Sequence, residues 1–208
     1  MSVRLVLLSD THNRCEGMEV PDGDLLLHAG DLTGRGTLPE IERANAWLAS
    51  LPHPRKVVVA GNHDFAFERA PAEARARLDA ATYLEDGETE VGGLRIWGSP
   101  WQPRFRDWAF NLPRGPALAA VWARIPEGID VLLVHGPPAG VLDRTASGAA
   151  VGCRELRAAV ERVRPRLCVF GHIHEGYGTL RADGTLFVNA SNCDVAYRPV
   201  NPPQVVEL

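Results

Sequence analysis

Seven histidines occur in the chain, and five of them stand in short polar clusters that each follow an apolar run. These clusters are Asp10-Thr11-His12, Gly61-Asn62-His63-Asp64, His135-Gly136 and Gly171-His172-Ile173-His174, and Gly30-Asp31 follows Leu25 to Leu27 in the same way. In α/β proteins, residues just past the carboxyl ends of neighbouring strands meet in one crevice. All five clusters are therefore expected to converge. Together they would supply two carboxylates, an amide oxygen and at least four imidazoles, with no thiolate required. That donor set suits borderline divalent metals, so manganese, iron, zinc, cobalt and nickel all qualify, with manganese expected to serve in vitro. It is too rich in nitrogen for calcium or magnesium alone, and it lacks the cysteines of a structural zinc knot. A single ion seldom takes seven protein ligands. Two ions about 3.5 to 4 Å apart, bridged by a carboxylate, would use them all and leave positions for water and substrate.

The elements that must position these residues are short runs rich in Val, Leu and Ile, separated by helix-compatible stretches, which is an α/β pattern. Strands are predicted at Val3 to Leu8, Leu25 to Leu27, Val57 to Ala60, Leu94 to Trp97, Val131 to Val134 and Leu167 to Phe170. Further strands are predicted at Tyr177 to Arg181, Thr185 to Asn189 and Val205 to Leu208. Asp183-Gly184 reads as a hairpin turn, so part of the sheet is expected to be antiparallel. Helices are predicted at Leu38 to Leu51, Pro71 to Ala80, Pro116 to Ile125 and Cys153 to Val163. The first has Thr37 as its N-cap, Glu40 three residues on and Pro39 in its first turn. The last places Leu156, Ala159, Val160 and Val163 on one face. No repeat, low-complexity segment or long linker divides the chain, so residues 1–208 are expected to form a single domain. Gly98 to Gly115 is rich in proline and aromatics. It reads chiefly as a loop packed on the core, with stacking of a substrate by Trp101, Phe105, Trp108 or Phe110 as the alternative.

Composition sets outer bounds. At 208 residues and 45% apolar content the chain can fill a core, and a net charge of −4, from 22 basic and 26 acidic residues, gives no basic face for extended nucleic acid. The apolar runs are too short to span a membrane, and the opening residues lack a secretory pattern. With four cysteines and no C-x-x-C spacing, a cytoplasmic protein with reduced thiols is expected. His28 and His53 read as satisfied structural groups. The sequence does not settle oligomeric state.

In order, the clusters resemble the pattern of the calcineurin-like metallophosphoesterases: D-x-H, G-D, G-N-H-D/E, a lone His and G-H-x-H. Further likeness in His135-Gly136-Pro137-Pro138, Asn189-Ala190-Ser191 and Asn201-Pro202-Pro203 points to a compact phosphodiesterase-like subgroup. The resemblance implies a four-layer α/β/β/α sandwich of two mixed sheets flanked by helices. It implies that Asp10, His12, Asp31 and His174 hold one ion and that Asp31, Asn62, His135 and His172 hold the other. His63 would stand beside the leaving group, Asp64 would orient it, and Arg35 would bind phosphate. The two ions and two carboxylates would leave an excess positive charge of about two facing the substrate. A hydroxide shared by the ions would attack phosphorus in line, and His63 would protonate the departing alkoxide. The expected substrate is a small phosphodiester, with cyclic nucleotides among the candidates. The alternatives are a phosphomonoesterase on the same site and a non-catalytic scaffold of the same fold.

Overall fold

The computed structural model describes residues 2–208. A five-stranded sheet runs in the order β13 (Gln204–Glu207), β1 (Arg4–Leu8), β2 (Leu25–His28), β3 (Arg55–Val58) and β4 (Thr82–Tyr83). A six-stranded sheet runs β11 (Gly178–Ala182), β12 (Thr185–Asn189), β10 (Leu167–Phe170), β9 (Val131–Val134), β6 (Leu94–Ser99) and β5 (Gly87–Val91). The helices are α1 (Leu38–Ser50), α2 (Phe65–Arg69), α3 (Pro71–Ala76), α4 (Pro116–Trp122) and α5 (Arg154–Val163), and a short pair, β7 (Gln102–Pro103) and β8 (Asn111–Leu112), lies within the aromatic loop. Both sheets are mixed. Their inner strands are parallel, while β13, β11 and β5 pair antiparallel at the edges.

Alternation along the inner strands builds the layers. Leu5 and Leu7 of β1 and Leu25 and Leu27 of β2 point between the sheets, where they meet Ile96, Val131, Leu133, Leu167 and Val169 of the opposite sheet. Their neighbours Val6, Leu8 and Leu26 point outward onto Ile41, Ala44 and Leu48 of α1 and onto Phe67 of α2. On the other side Leu132, Val134, Cys168 and Phe170 meet Leu118 and Trp122 of α4 and Leu156 and Val160 of α5. The result is the expected four-layer order of helices, sheet, sheet and helices. Strands covered on both faces need apolar side chains at every position, which is why they read as unbroken runs. Burial of each such side chain contributes roughly 1.5 to 3 kcal/mol.

Local signals account for most of the boundaries. Glu40 accepts hydrogen bonds from the Thr37 backbone N–H at 3.0 Å and the Thr37 hydroxyl at 2.9 Å, which closes the start of α1. Cys153 Sγ accepts from the Leu156 N–H at 3.4 Å as the cap of α5, and Arg164 in the left-handed region ends that helix before Pro165. Two differences from the sequence reading stand out. The edge strand β5 has the sequence Gly-Glu-Thr-Glu-Val, and its charged residues conceal a strand that has only one sheet neighbour. The five-residue α2 is too short for a periodic signal. The ends of α3 and α4 also fall before Ala80 and Ile125. Among the described residues no helix is long and apolar enough to cross a membrane.

Candidate metal centre

All seven candidate ligands lie past strand ends on one side of the molecule. Asp10 and His12 follow β1, Asp31 follows β2 and Asn62 follows β3, whereas His135, His172 and His174 follow β9 and β10 of the other sheet. The sheets are joined here by a bridge between Ser9 and Ser191. Asp10, His12, Asp31 and His172 all adopt positive φ, at 53°, 47°, 54° and 66°. Such backbone costs of order 1 to 3 kcal/mol per non-glycine residue and persists only where its surroundings over-determine it. The surroundings are visible. The Asp10 N–H donates to Gly30 O and the His12 N–H donates to Asp31 O, each at 2.9 Å. Gly171 leaves room for the Asp10 carboxylate, which lies where a Cβ would project.

Four imidazoles are held in the same manner, each through Nδ1–H to a backbone carbonyl. His12 donates to Thr33 O at 3.2 Å, His63 to Gly34 O at 2.8 Å, His135 to Ala29 O at 2.9 Å and His174 to Asp194 O at 2.8 Å. In the neutral ring that contact fixes the tautomer and leaves Nε2 as the atom with the lone pair. The Nε2 atoms of His135, His12 and His63 then face Asp31 Oδ2 at 3.6, 3.8 and 4.0 Å. The other Asp31 oxygen, Oδ1, accepts from the His63 N–H at 2.7 Å. Asp10 accepts from the Ser191 hydroxyl at 2.8 Å and from the His172 N–H at 3.0 Å, and His174 Nε2 lies 3.3 Å from its Oδ1.

These residues fit a cation on their own chemistry. Among the described residues, buried His12 Nε2 has no hydrogen-bond partner, a costly state for a polar atom. His135 Nε2 lies 2.8 Å from Asn62 Oδ1, so two lone pairs point at one another. Asp10, His12 and His174 have ligand atoms within 4.8 Å of one another, as do His12, Asp31 and His63, and Asp10, Asp31 and His135. The His172 ring stands 5.1 Å from that of His135. Burial, reinforced by Asp10 and Asp64, pushes the Asp31 carboxyl well above the usual range. Burial also pushes His12 and His172 down to about 3 and so keeps them neutral. Burial lowers His174 as well, but the Asp10 carboxylate outweighs it and holds that imidazole up at about 9. Burial thus disfavours charge throughout the site, and only the paired carboxylate of Asp10 keeps an imidazole cationic.

Two residues and one loop stand differently from the sequence reading. Asp64 does not touch the His63 ring. Its carboxylate accepts from the Gly61, Leu32 and Thr33 N–H groups at 2.8, 3.2 and 2.9 Å and from the Thr33 hydroxyl at 2.7 Å. A buried carboxylate beside three free backbone donors satisfies them before it reaches a side chain, and orientation of His63 falls to Gly34. Arg35 lines a neighbouring cleft with Arg14 and Arg43, not the cleft over Asp31. The aromatic loop is divided. Phe110 is buried against Trp101, but Phe105 and Trp108 line the cleft beside Asp31, Asn62 and His172.

Sequence reasoning missed Tyr197. Its hydroxyl lies 3.3 Å from His63 Nε2, and its ring stands edge-on to His12 at 4.8 Å. It sits in a turn closed by the Asp194 N–H to Arg198 O at 2.9 Å and by an Arg198 ion pair with Asp194, and nothing in the local sequence announces that this turn comes back over the site. Ser191 was findable, because it follows the run Thr185 to Asn189 as the other clusters follow theirs. His28 and His53 are hydrogen-bonded elsewhere, to Thr11 and Gly30 and to Pro21 O.

Two packed mixed sheets with histidines and carboxylates gathered at their strand ends define a layered α/β protein with a candidate metal centre. The calcineurin-like phosphoesterase family matches residues 3–176, and the chain belongs to that family. It is 46% identical to human "Metallophosphoesterase domain-containing protein 1" over 99% of this chain and 71% of that protein. It is 28% identical to a Synechococcus protein named as a probable cyclic nucleotide phosphodiesterase, over 74% of this chain and 59% of that one. In fold it is similar to the phosphopantetheinyl hydrolase of Mycobacterium tuberculosis, with a TM-score of 0.66, 18% identity and coverage of 97% of this chain and 95% of the other.

Proposed function

We propose that the chain hydrolyses a small phosphodiester at a dinuclear metal centre. Asp10, His12, Asp31 and His174 would hold one ion, and Asp31, Asn62, His135 and His172 would hold the other. The observation that carries this reading is the set of imidazoles pinned through Nδ1, with three Nε2 atoms turned toward one oxygen of Asp31. Bound divalent ions supply Lewis acidity, which acidifies water as a nucleophile and offsets charge on the phosphoryl oxygens. The protein's part is positional. Carbonyls of Ala29, Thr33, Gly34 and Asp194 orient the rings, and Asp64 holds the loops that carry Asp31 and Asn62. His63 presents Nε2 to the cleft, the atom that can carry a proton to a leaving oxygen.

A diester is favoured because clefts lie on both sides of His63 and Tyr197, of about 540 and 230 Å³, and so can receive two ester arms. The Synechococcus relative's name points the same way. The test strips the protein with a chelator and restores manganese, iron, zinc, cobalt or nickel in turn. Elemental analysis is expected to find two ions per chain, and bis-p-nitrophenyl phosphate is expected to show a higher kcat/KM than p-nitrophenyl phosphate. A single ion would overturn the dinuclear centre. Preference for the monoester would replace the substrate class, and inactivity of folded protein with every metal would make the chain a scaffold.

A further inference from the structure

The larger cleft has a charge pattern that hydrolysis of a simple diester leaves unused. Arg14, Arg35 and Arg43 line it together with Glu40, His63 and Tyr197. Among the described residues the guanidinium groups of Arg14 and Arg35 make no hydrogen bond or ion pair, and Arg43 has only a loose contact of 3.9 Å with Glu40 Oε1. Two other arginines are tied down, since Arg114 donates to Val151 O and Gly152 O at 2.6 and 2.7 Å and Arg162 donates to Trp122 O and Ile125 O at 3.0 Å; what sets Arg14, Arg35 and Arg43 apart is that all three share one concave wall. Glu40 offsets only one of the three charges, and it is held in place by its own helix start. Its carboxylate is taken up by the Thr37 hydroxyl, the Thr37 N–H and the Arg35 N–H at 2.9, 3.0 and 3.2 Å.

Three guanidinium groups against one carboxylate leave an excess of two positive charges in a concave wall. A phosphate monoester brings up to two negative charges and three acceptor oxygens, and guanidinium is the side chain that matches phosphate by paired hydrogen bonds. The cleft, about 540 Å³ in volume, is within the range of small-molecule sites. Of the seven candidate ligands only His12 lines this cleft, so the reacting phosphorus belongs over the other one. Asp31, Asn62, His172 and His174 line the other cleft, which contains none of the three arginines, and His63 and Tyr197 border both. A molecule reacting over Asp31 would extend past those two side chains to reach the arginines.

We infer that the substrate is a phosphodiester bearing a second, terminal phosphate, which Arg14, Arg35 and Arg43 bind in the cleft beyond His63 and Tyr197. The inference rests on the diesterase reading above and narrows its substrate class.

The test compares three dinucleotides with the metal-loaded enzyme: diadenylate, diadenylate with a 5′-terminal phosphate and diadenylate with a 3′-terminal phosphate. The two phosphorylated forms present the extra group on opposite arms. One of them is expected to exceed plain diadenylate in kcat/KM by about 10- to 100-fold, the range of one charge-assisted contact, chiefly through KM. That ratio is expected to fall toward one in R14Q/R43Q and to persist in R55Q, which changes an exposed arginine at the opposite end of β3. Binding gives a second readout: adenosine 3′,5′-bisphosphate is expected to bind more tightly than adenosine 5′-monophosphate in calorimetry, and R14Q/R43Q is expected to remove the difference. Equal rates for all three dinucleotides, or a ratio retained in R14Q/R43Q, would overturn the inference. Turnover of bis-p-nitrophenyl phosphate alongside such equal rates would leave the diesterase reading standing, whereas no turnover of any diester would remove both.

Discussion

At the scale of single residues, chemistry and geometry divide the account between them. Residue types and order marked the five polar clusters, because a donor set leaves its trace in composition after each apolar run, and the family resemblance then singled out Asp10, His12, Asp31, Asn62, His135, His172 and His174 within them. The direction of each ring left no trace. It depends on carbonyls such as Ala29 O and Asp194 O, and every residue has a carbonyl. Asp64 shows the consequence. The family pattern joins it to His63, but in the fold it serves three backbone N–H groups and the Thr33 hydroxyl. Asp64→Ala is therefore expected to cost the metal-free protein about 3 kcal/mol or more, since each stranded buried donor costs roughly 1 to 3 kcal/mol. Urea unfolding in the presence of a chelator measures this. Unchanged stability with lost turnover would restore the orienting role.

At the scale of elements, the strands buried on both faces were legible, as were the edge strands β11 and β13, whereas the edge strands β4 and β5 were not. Val131–Val134, Leu167–Phe170 and Thr185–Asn189 appear with the predicted bounds, because an inner strand must be apolar throughout or alternate cleanly. A one-sided edge such as β5 can carry two glutamates, so its composition imitates a loop. Loops at the strand ends are constrained by close approach more than by propensity. A Cβ at position 171 would collide with Asp10 and Ser9, whereas one at Gly87 would meet nothing nearer than Glu85 O at 3.8 Å. Gly171→Ala is accordingly expected to displace Asp10 and reduce bound metal at least tenfold by elemental analysis, while Gly87→Ala keeps it. Full metal content in Gly171→Ala would show that Asp10 is not needed to hold the ions.

At the scale of the whole molecule, buried neutral histidines link stability to acidity. His28 is the simplest case because it is not a candidate ligand: burial holds it down at about 3, while an unfolded histidine titrates near ~6.5. Its folded value is the lower one, so the stabilising contribution is complete above about 6.5 and is lost as pH falls from there toward 3. The metal-free protein is expected to lose stability between pH 7 and pH 4, with His28→Gln reducing the slope by up to one proton, or ~1.4 kcal/mol per pH unit. Urea midpoints across that interval, compared between wild type and variant, decide it. An unchanged slope would mean that His28 is protonated in the folded state. The bridge between Ser9 and Ser191 has a mechanical side as well. Asp10 and Asp31 come from one half of the sandwich, and His135 and His174 from the other, so cargo gripped between them would act as a rivet through two plates. Drawing it out would loosen both plates together, including strands more than a hundred positions apart along the polymer, such as β1 and β9.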